Sequence, residues 1–274
     1  MAYPLPVEEN QRFKRAFENQ QNRSSRIMIR LSERLQKIAD FIEPGESVAD
    51  IGTDHGFLPI ALRESGKSPF VILSDVNEGP LEKARANIEK HLPEERIDIR
   101  IGNGLKILKP GEVDAVVIAG MGGLLIAEIL GEDPLKTRSF RKFILQPRTA
   151  QKKLREWLYA HGFTITDEAL AREGKLLCEI IVAAPCSEGL DKMPDDIDLE
   201  ISPILFTKND PLLVEFIENK IRIEMRVYRS IRDNAVKNQE DLLRRSKERI
   251  ELLLKLIDEA EDRQEKSGLL KKEW

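Results

Sequence analysis

The sequence has little from which to build a disulfide framework or a metal centre. Its two cysteines, Cys178 and Cys186, lack metal-ligand spacing and fit a reducing cytoplasm. Its three histidines, His55, His91 and His161, are too scattered for a metal site, and His91 and His161 read as helix-end residues. Aromatic residues make up only 5% of the chain, so few rings are available to stack on bases. Trp157 reads as packing; Phe57 reads as a core residue, with a stacking ring as the alternative. No apolar run approaches the ~20 residues of a membrane span, and the polar start "MAYPLPVEEN" is not a signal peptide. A soluble, cytoplasmic protein is expected, with no membrane, no metal and no obligatory protein partner. Net charge is −4, so a polyanion would have to be met by local basic faces.

What the sequence does have is alternation. "SVADIG" (47–52), "FVILSD" (70–75), "IDIRIG" (97–102), "VDAVVIAG" (113–120) and "KFILQP" (142–147) are short apolar runs bounded by turn residues. Helical patterns at 57–65, 80–91, 123–130 and 150–161 separate most of them. Strands apolar on both faces, joined by crossover helices, specify an α/β fold with a parallel, doubly wound sheet. "FTITDEALA" (163–171) and "LLCEIIVAAP" (176–185) are split by a four-residue turn at 172–175. They predict a terminal antiparallel hairpin, familiar from methyltransferase sheets rather than dehydrogenases. Ahead of the sheet, "LSERLQKIADFI" places Leu31, Leu35, Ile38, Ala39 and Ile42 on one helical face.

The ends differ in character. Residues 1–25 are polar and read as a weakly ordered extension, and "CSEGLDKMPDDIDLE" (186–200) reads as an acidic linker. "NDPLLVEF" predicts a helix start with an Asn or Asp cap and Pro211 in the first turn. Apolar stripes from Leu213 to Ile231 and from Leu242 through Leu253 and Leu254 to Ile257 predict two long helices in an antiparallel hairpin. The expected divisions are an N-terminal extension (1–30), an α/β domain (31–185), and a linker with a helical domain (186–274).

"VADIGTDHGFLPIAL" (48–62) reads as strand, glycine turn and helix. A dinucleotide fingerprint needs a second glycine where this chain has Asp54. A carboxylate there would repel a diphosphate by on the order of a kcal/mol or more. No Gly-Lys-Ser/Thr loop appears either, which argues against a nucleoside triphosphate. S-adenosylmethionine has no phosphate and carries a cationic sulfonium, so a loop with Asp50 and Asp54 is compatible with it; otherwise the two acids are turn or capping residues. Its carboxylate can meet backbone N–H groups where the loop enters the helix. Asp75, closing the second strand, can accept both ribose hydroxyls, and Asn103 can meet the adenine edge. Gly52, Thr53, Gly56, Val76, Gly104 and Gly120 complete the expected cofactor contacts.

The fourth strand runs into "AGMGG" in place of an Asp/Asn-Pro-Pro-aromatic motif. Gly120, Gly122 and Gly123 are expected to let backbone approach a flat ligand. Met121, Gln146 and Arg148 join them as expected substrate contacts. "LSERL", "VADIGTDHGFLPIAL", "GNGL", "VVIAGMGG", "LQPR" and "LREWL" together resemble the TrmK family of bacterial tRNA (adenine-N1)-methyltransferases, over about residues 31–185. The resemblance implies a class I S-adenosylmethionine-dependent domain followed by a coiled-coil-like helical domain, acting on adenine 22 in the tRNA D arm. Adenine N1 carries a free lone pair, so in-line displacement needs no activated nucleophile and no covalent intermediate. The methylated base is cationic until its N6 proton is lost, and a nearby carboxylate would stabilise that charge and could accept the proton. Asp54 is the candidate acceptor, with His55 as a second polar contact or acceptor; the alternative has Asp54 binding the cofactor amino group.

Three basic regions are candidates to hold tRNA. Residues 12–37 carry eight Lys/Arg against two Asp/Glu. A second cluster is Lys136, Arg138, Arg141 and Lys142. The third spans 220–249, with ten Lys/Arg against five Asp/Glu, and includes Arg222, Arg226 and Arg229. Competing readings are a small-molecule methyltransferase, a non-catalytic RNA-binding module and an oxidoreductase, the last disfavoured by Asp54.

Overall fold

The computed structural model describes residues 29–93, 97–186, 192–234 and 238–268. The polar stretch 1–25 lies outside the described residues, as does part of the linker at 187–191. Helix α1 (Glu33–Asp40) is capped by Ser32, whose hydroxyl accepts from the Leu35 N–H. Five parallel strands follow: β1 (Val48–Ile51), β2 (Val71–Asp75), β3 (Asp98–Ile101), β4 (Ala115–Gly122) and β5 (Lys142–Thr149). Between them run α2 (Phe57–Glu64), α3 (Glu78–His91), α4 (Gly123–Gly131) and the short α5 (Pro134–Thr137). Helix α6 (Gln151–Ala160) leads to the hairpin β6 (Phe163–Glu173) and β7 (Leu176–Pro185). The sheet order is β3-β2-β1-β4-β5-β7-β6, with β7 antiparallel to both neighbours.

All four residues of β1 are buried because helices cover both faces of the sheet. On one face α4 and α6 press Ile126, Leu130, Leu154 and Leu158 onto Val116, Ile118, Phe143 and Leu145. On the other, Ile38 and Ile42 from α1 and just beyond it, with Leu58 and Leu62 of α2, meet Val48, Val117 and Ile144. Each fully buried aliphatic side chain contributes ~1.5–3 kcal/mol relative to exposure, so the sheet centre is rigid and its polar edge is held in place. The hairpin turn is shorter than expected. Strand β6 extends to Glu173, so only Gly174, in the left-handed region (φ +63°), and Lys175 form the turn.

Beyond the sheet come α7 (Pro203–Thr207), α8 (Leu213–Asp233) and α9 (Gln239–Lys266). Helix α7 is too short for periodicity to show; Ser202 caps it through the Ile204 N–H. Pro211 precedes α8 rather than opening it. Asp210 instead accepts from the Leu212 N–H at 2.9 Å and from Leu170 of β6 at 3.0 Å, so it ties the helix entry to the hairpin. The two apolar stripes are buried only near the sheet, where Leu213, Phe216, Ile217, Leu253 and Ala260 pack with Leu170, Leu205 and Phe206. Farther out, Met225 is exposed. Leu254, expected in the seam, faces solvent as well, and Leu253 takes the inner position. Two helices alone cannot cover a stripe on both sides.

A buried ionic cluster joins the two parts. Arg155 of α6 reaches Glu168 of β6 at 2.7 Å and Glu179 of β7 at 2.8 Å, and donates to the Leu199 carbonyl at 3.3 Å. Lys220 of α8 lies 4.0 Å from Glu179 and 3.7 Å from Glu200.

Candidate active site

Strand β1 lies between β2 and β4, so the connections leaving its C-terminal end diverge and open a crevice. A cavity of about 500 Å³ occupies it, lined by the loop from Gly52 to Leu58, by Asp50, Ala119 and Gly120, by Arg148 and Glu173, and by Arg30, Ser32, Arg34 and Leu35 from around α1.

The loop is fixed from beneath. Gly52 and Thr53 both donate to the Ser74 carbonyl, at 2.8 and 2.9 Å, and the Thr53 hydroxyl accepts from the Gly56 N–H at 3.2 Å. Gly52 is in the left-handed region at φ +78°, and a Cβ there would meet the Met121 methyl at 2.0 Å. The Met121 methyl thus packs directly against Gly52 and supports the loop. Asp50 is buried, and that burial pushes its carboxyl up to about 6, against the hydrogen bond from Thr53 and the charge of Arg34. An acid so placed is a poor neighbour for a diphosphate and a good one for a cation.

Asp54 and His55 stand on the rim. Asp54 is exposed, 3.1 Å from His55 Nε2 and 3.8 Å from Lys83 Nζ. The His55 carbonyl accepts from Asn87 Nδ2 at 2.9 Å, and its ring stacks on Phe57 with centroids 5.2 Å apart. Phe57 is 37% exposed and lines the cavity, so the expectation of a core residue is corrected: this ring faces the crevice. Asp75 ends β2 and accepts from the Asn77 N–H at 2.8 Å, with Val76 exposed beside it. Asn103 is exposed after β3, and the φ of +51° at Gly104 leads the chain tightly under Ile129.

At the end of β4 the three glycines serve different ends. Gly120 lines the cavity with φ +79°. Gly122 pairs with Thr149, and a Cβ on Gly123 would lie 2.7 Å from the carbonyl oxygens of Thr149 and Ala150. Gly122 and Gly123 thus let β4 and α4 cross the end of β5, which corrects the expectation that all three admit a ligand. Gln146 is buried too. Its Oε1 accepts from the Gly120 N–H at 3.1 Å and from Arg34 at 3.2 Å, so it shapes the loop from within. Arg148 lies at the mouth.

Arg34 and Glu173 went unread in the sequence as site residues. Arg34 reads there as one of eight basic residues between 12 and 37, yet its Nε donates to Glu173 Oε1 at 2.8 Å inside the cavity. The available signal was its place in "LSERL", in the first turn of α1. The second basic cluster is spent elsewhere. Lys142 opens β5, at the edge opposite the crevice, and is held by Glu46 and the Phe41 carbonyl. Arg141 pairs with Asp114, and Arg138 and Lys136 donate to the carbonyls of His161 and Leu105. Arg222, Arg226 and Arg229 are exposed on α8 and do not line the cavity. Among the described residues there is no cluster of His, Cys, Asp or Glu fit to hold a metal, and no helix long and apolar enough to cross a membrane.

Comparison with known proteins agrees with this geometry. Residues 31–181 match the family described as Methyltransferase domain. The chain is 33% identical over 235 residues to the tRNA (adenine(22)-N(1))-methyltransferase of Bacillus subtilis, covering 84% of this chain and 98% of that one. The crystal structure of the B. subtilis m1A22 tRNA methyltransferase TrmK superposes with a TM-score of 0.72 at 31% identity, over 84% of this chain and 99% of that one. A Streptococcus pneumoniae structure in complex with S-adenosyl-L-methionine gives 0.68 at 32% identity, over 81% of this chain and 100% of that one.

Proposed function

The chain belongs to the tRNA (adenine(22)-N(1))-methyltransferase family, and from that premise we infer how its residues divide the work. The reaction is S-adenosylmethionine-dependent methylation of adenine N1 in tRNA. We assign residues 31–185 to cofactor and chemistry and residues 186–274 to holding tRNA, the polyanion being met by the exposed α8 arginines Arg222, Arg226 and Arg229. The observation that carries the cofactor assignment is Asp50, a buried acid beside a loop with no diphosphate seat. Asp50, the Gly52–Gly56 loop and Gly120 would hold the amino-acid part, and Asp75, Val76 and Asn103 the nucleoside. Bound there, the cofactor supplies the methyl group.

The residues of this chain do not need to activate a nucleophile, because N1 brings its own lone pair. Their task is alignment and charge. As N1 gains the methyl group the adenine becomes cationic, and it stays so until a proton leaves N6. Asp54, exposed on the rim with His55 at 3.1 Å, stabilises that positive charge and takes the N6 proton. His55 orients the carboxylate, and Phe57 offers a ring beside it.

Incubating the protein with labelled S-adenosylmethionine and unmodified tRNA, then analysing nucleosides, should yield 1-methyladenosine at position 22; label at another base or position would overturn the substrate assignment. Asp54→Asn should lower turnover by roughly 10²–10⁴-fold with S-adenosylmethionine affinity near normal. Equal loss of both would make Asp54 a cofactor ligand.

A further inference from the structure

Glu173 stands at the mouth of the cavity between two guanidinium groups. Its Oε1 accepts from Arg34 Nε at 2.8 Å, and its Oε2 lies 3.7 Å from an Arg148 terminal nitrogen. Arg34 is fixed from behind, since its other nitrogen donates to Gln146, which also receives the Gly120 N–H. Arg148 is 60% exposed, and the exposed Arg30 lines the same mouth. One carboxylate therefore sits in a ring of arginines, one of which is bonded through Gln146 to the loop at the reaction crevice. Stability gives little reason for the outer half of this arrangement, because an ion pair as open and as long as Arg148–Glu173 contributes little. Glu173 is the last residue of β6, at the tip of the hairpin beside the Gly174 turn, and its side chain is 35% exposed, so solvent reaches the carboxylate.

We propose that Glu173 keeps the seat of a phosphate. When tRNA binds, a backbone phosphodiester beside the target adenosine takes the place between Arg34 and Arg148, and Glu173 swings out. A carboxylate and a phosphodiester each carry one negative charge and offer paired oxygens to a guanidinium fork, so the exchange leaves neither arginine unpaired. This rests on the tRNA-methylation reading: N1 lies on the Watson–Crick edge, so the base must be turned out of its stack, and a grip on its own phosphate holds it there. In free enzyme the carboxylate keeps the two guanidiniums converged and keeps other anions out.

The test uses Arg148→Ala and Glu173→Gln in the full chain, with the KM for tRNA and, by calorimetry, S-adenosylmethionine affinity. Arg148→Ala should raise the tRNA KM about tenfold and shallow its salt dependence by roughly one phosphate contact, with cofactor affinity unchanged. Glu173→Gln should lower the tRNA KM by roughly threefold, since the resident competitor has lost its charge. Loss of S-adenosylmethionine affinity in Arg148→Ala would reassign the seat to the cofactor's carboxylate and overturn the proposal. So would a rise in tRNA KM for Glu173→Gln matching that of Arg148→Ala, which would make Glu173 a strut. Absence of 1-methyladenosine from the unmodified enzyme would instead sink the reading underneath, a result separable from either.

Discussion

The β6–β7 hairpin feeds carboxylates into two charge clusters of inverse composition. At Arg155 one guanidinium serves two acids, Glu168 and Glu179, with side chains 2%, 2% and 4% exposed. At the crevice two guanidiniums, Arg34 and Arg148, share the single acid Glu173, and exposure climbs from 13% through 35% to 60%. The chemistry is the same and the environment is not. In the sealed cluster burial pushes the Glu168 carboxyl up, and Arg155 pulls it down. Removing one partner there strands a charge away from water. The open cluster can exchange its anion at little cost because solvent screens each step. Burial decides which set of arginines locks the fold and which remains free to bind.

The harshest way to break this contrast is Arg155→Ala. Leaving Glu168 buried without its cation, and Glu179 with only Lys220 at 4.0 Å, should cost about 3–5 kcal/mol, read as a large fall in denaturant midpoint or melting temperature. Arg155→Met, which fills the space without charge, strands the same two acids and should lose nearly as much; a much smaller loss than in Arg155→Ala would assign the cost to the cavity instead of to the charges. Arg148→Ala should stay within about 1 kcal/mol of the parent. If the two alanine variants were equally destabilised, exposure would not be the distinction that matters. Arg155 also donates to the Leu199 carbonyl in the linker, so its loss should loosen the helical hairpin from the sheet.

The sheet, the glycine loop and the two charge clusters were unequally legible in the sequence. Every strand of the sheet could be read there, because apolar runs bounded by turn residues leave few alternatives. The loop was legible through Gly52, Asp54 and Gly56, whose spacing excludes a dinucleotide. The clusters were not, because they join residues far apart: Arg34 and Glu173 are separated by 139 positions, and no local pattern pairs an α1 arginine with a hairpin tip. Gly122 and Gly123 misled for a related reason. A glycine that admits a ligand and one that admits a neighbouring strand look alike until the strand is placed. Phe57 misled in turn, because a phenylalanine at a helix start counts as core by composition, and only the stacked His55 beside it reveals the crevice.

A second, milder break concerns the exposed end of the charge scale. The α8 arginines lean on their own helix: Arg222 Nε donates to the Glu218 carbonyl and Arg226 Nε to that of Arg222, each at 3.4 Å. Arg222 also lies 3.9 Å from the Glu218 carboxylate, but pairs this exposed are weak enough for a phosphate to replace. Changing Arg222, Arg226 and Arg229 together to Glu should weaken tRNA binding by roughly 10²-fold at moderate salt, with S-adenosylmethionine affinity intact. Unchanged tRNA affinity would remove the helical hairpin from substrate binding and leave the crevice arginines to carry it. A loss that salt does not modulate would point to misfolding of the hairpin instead.

The smallest expected effect probes the acid between the two extremes. Asp50 is as buried as the sealed cluster but lies on the cavity wall, and burial, outweighing Thr53 and Arg34, takes its carboxyl up to about 6. An unfolded chain holds the same group at about 4, so across pH 4–6 it releases a proton that the folded protein keeps. Stability of the free enzyme from this group therefore falls as pH rises through that window and is at its lowest above it, where Asp50 is an ionised carboxylate poor in solvent. A cationic ligand beside it relieves that cost. S-adenosylmethionine affinity should accordingly rise about tenfold between pH 5 and pH 7 as the ionised fraction grows, then level off. Asp50→Asn should flatten this profile, weaken the cofactor and raise the melting temperature of the free protein above pH 6. An unaltered profile in Asp50→Asn would place the titrating group elsewhere. It would also make Asp50 a third structural acid, grouped with Glu168 and Glu179 instead of with the site.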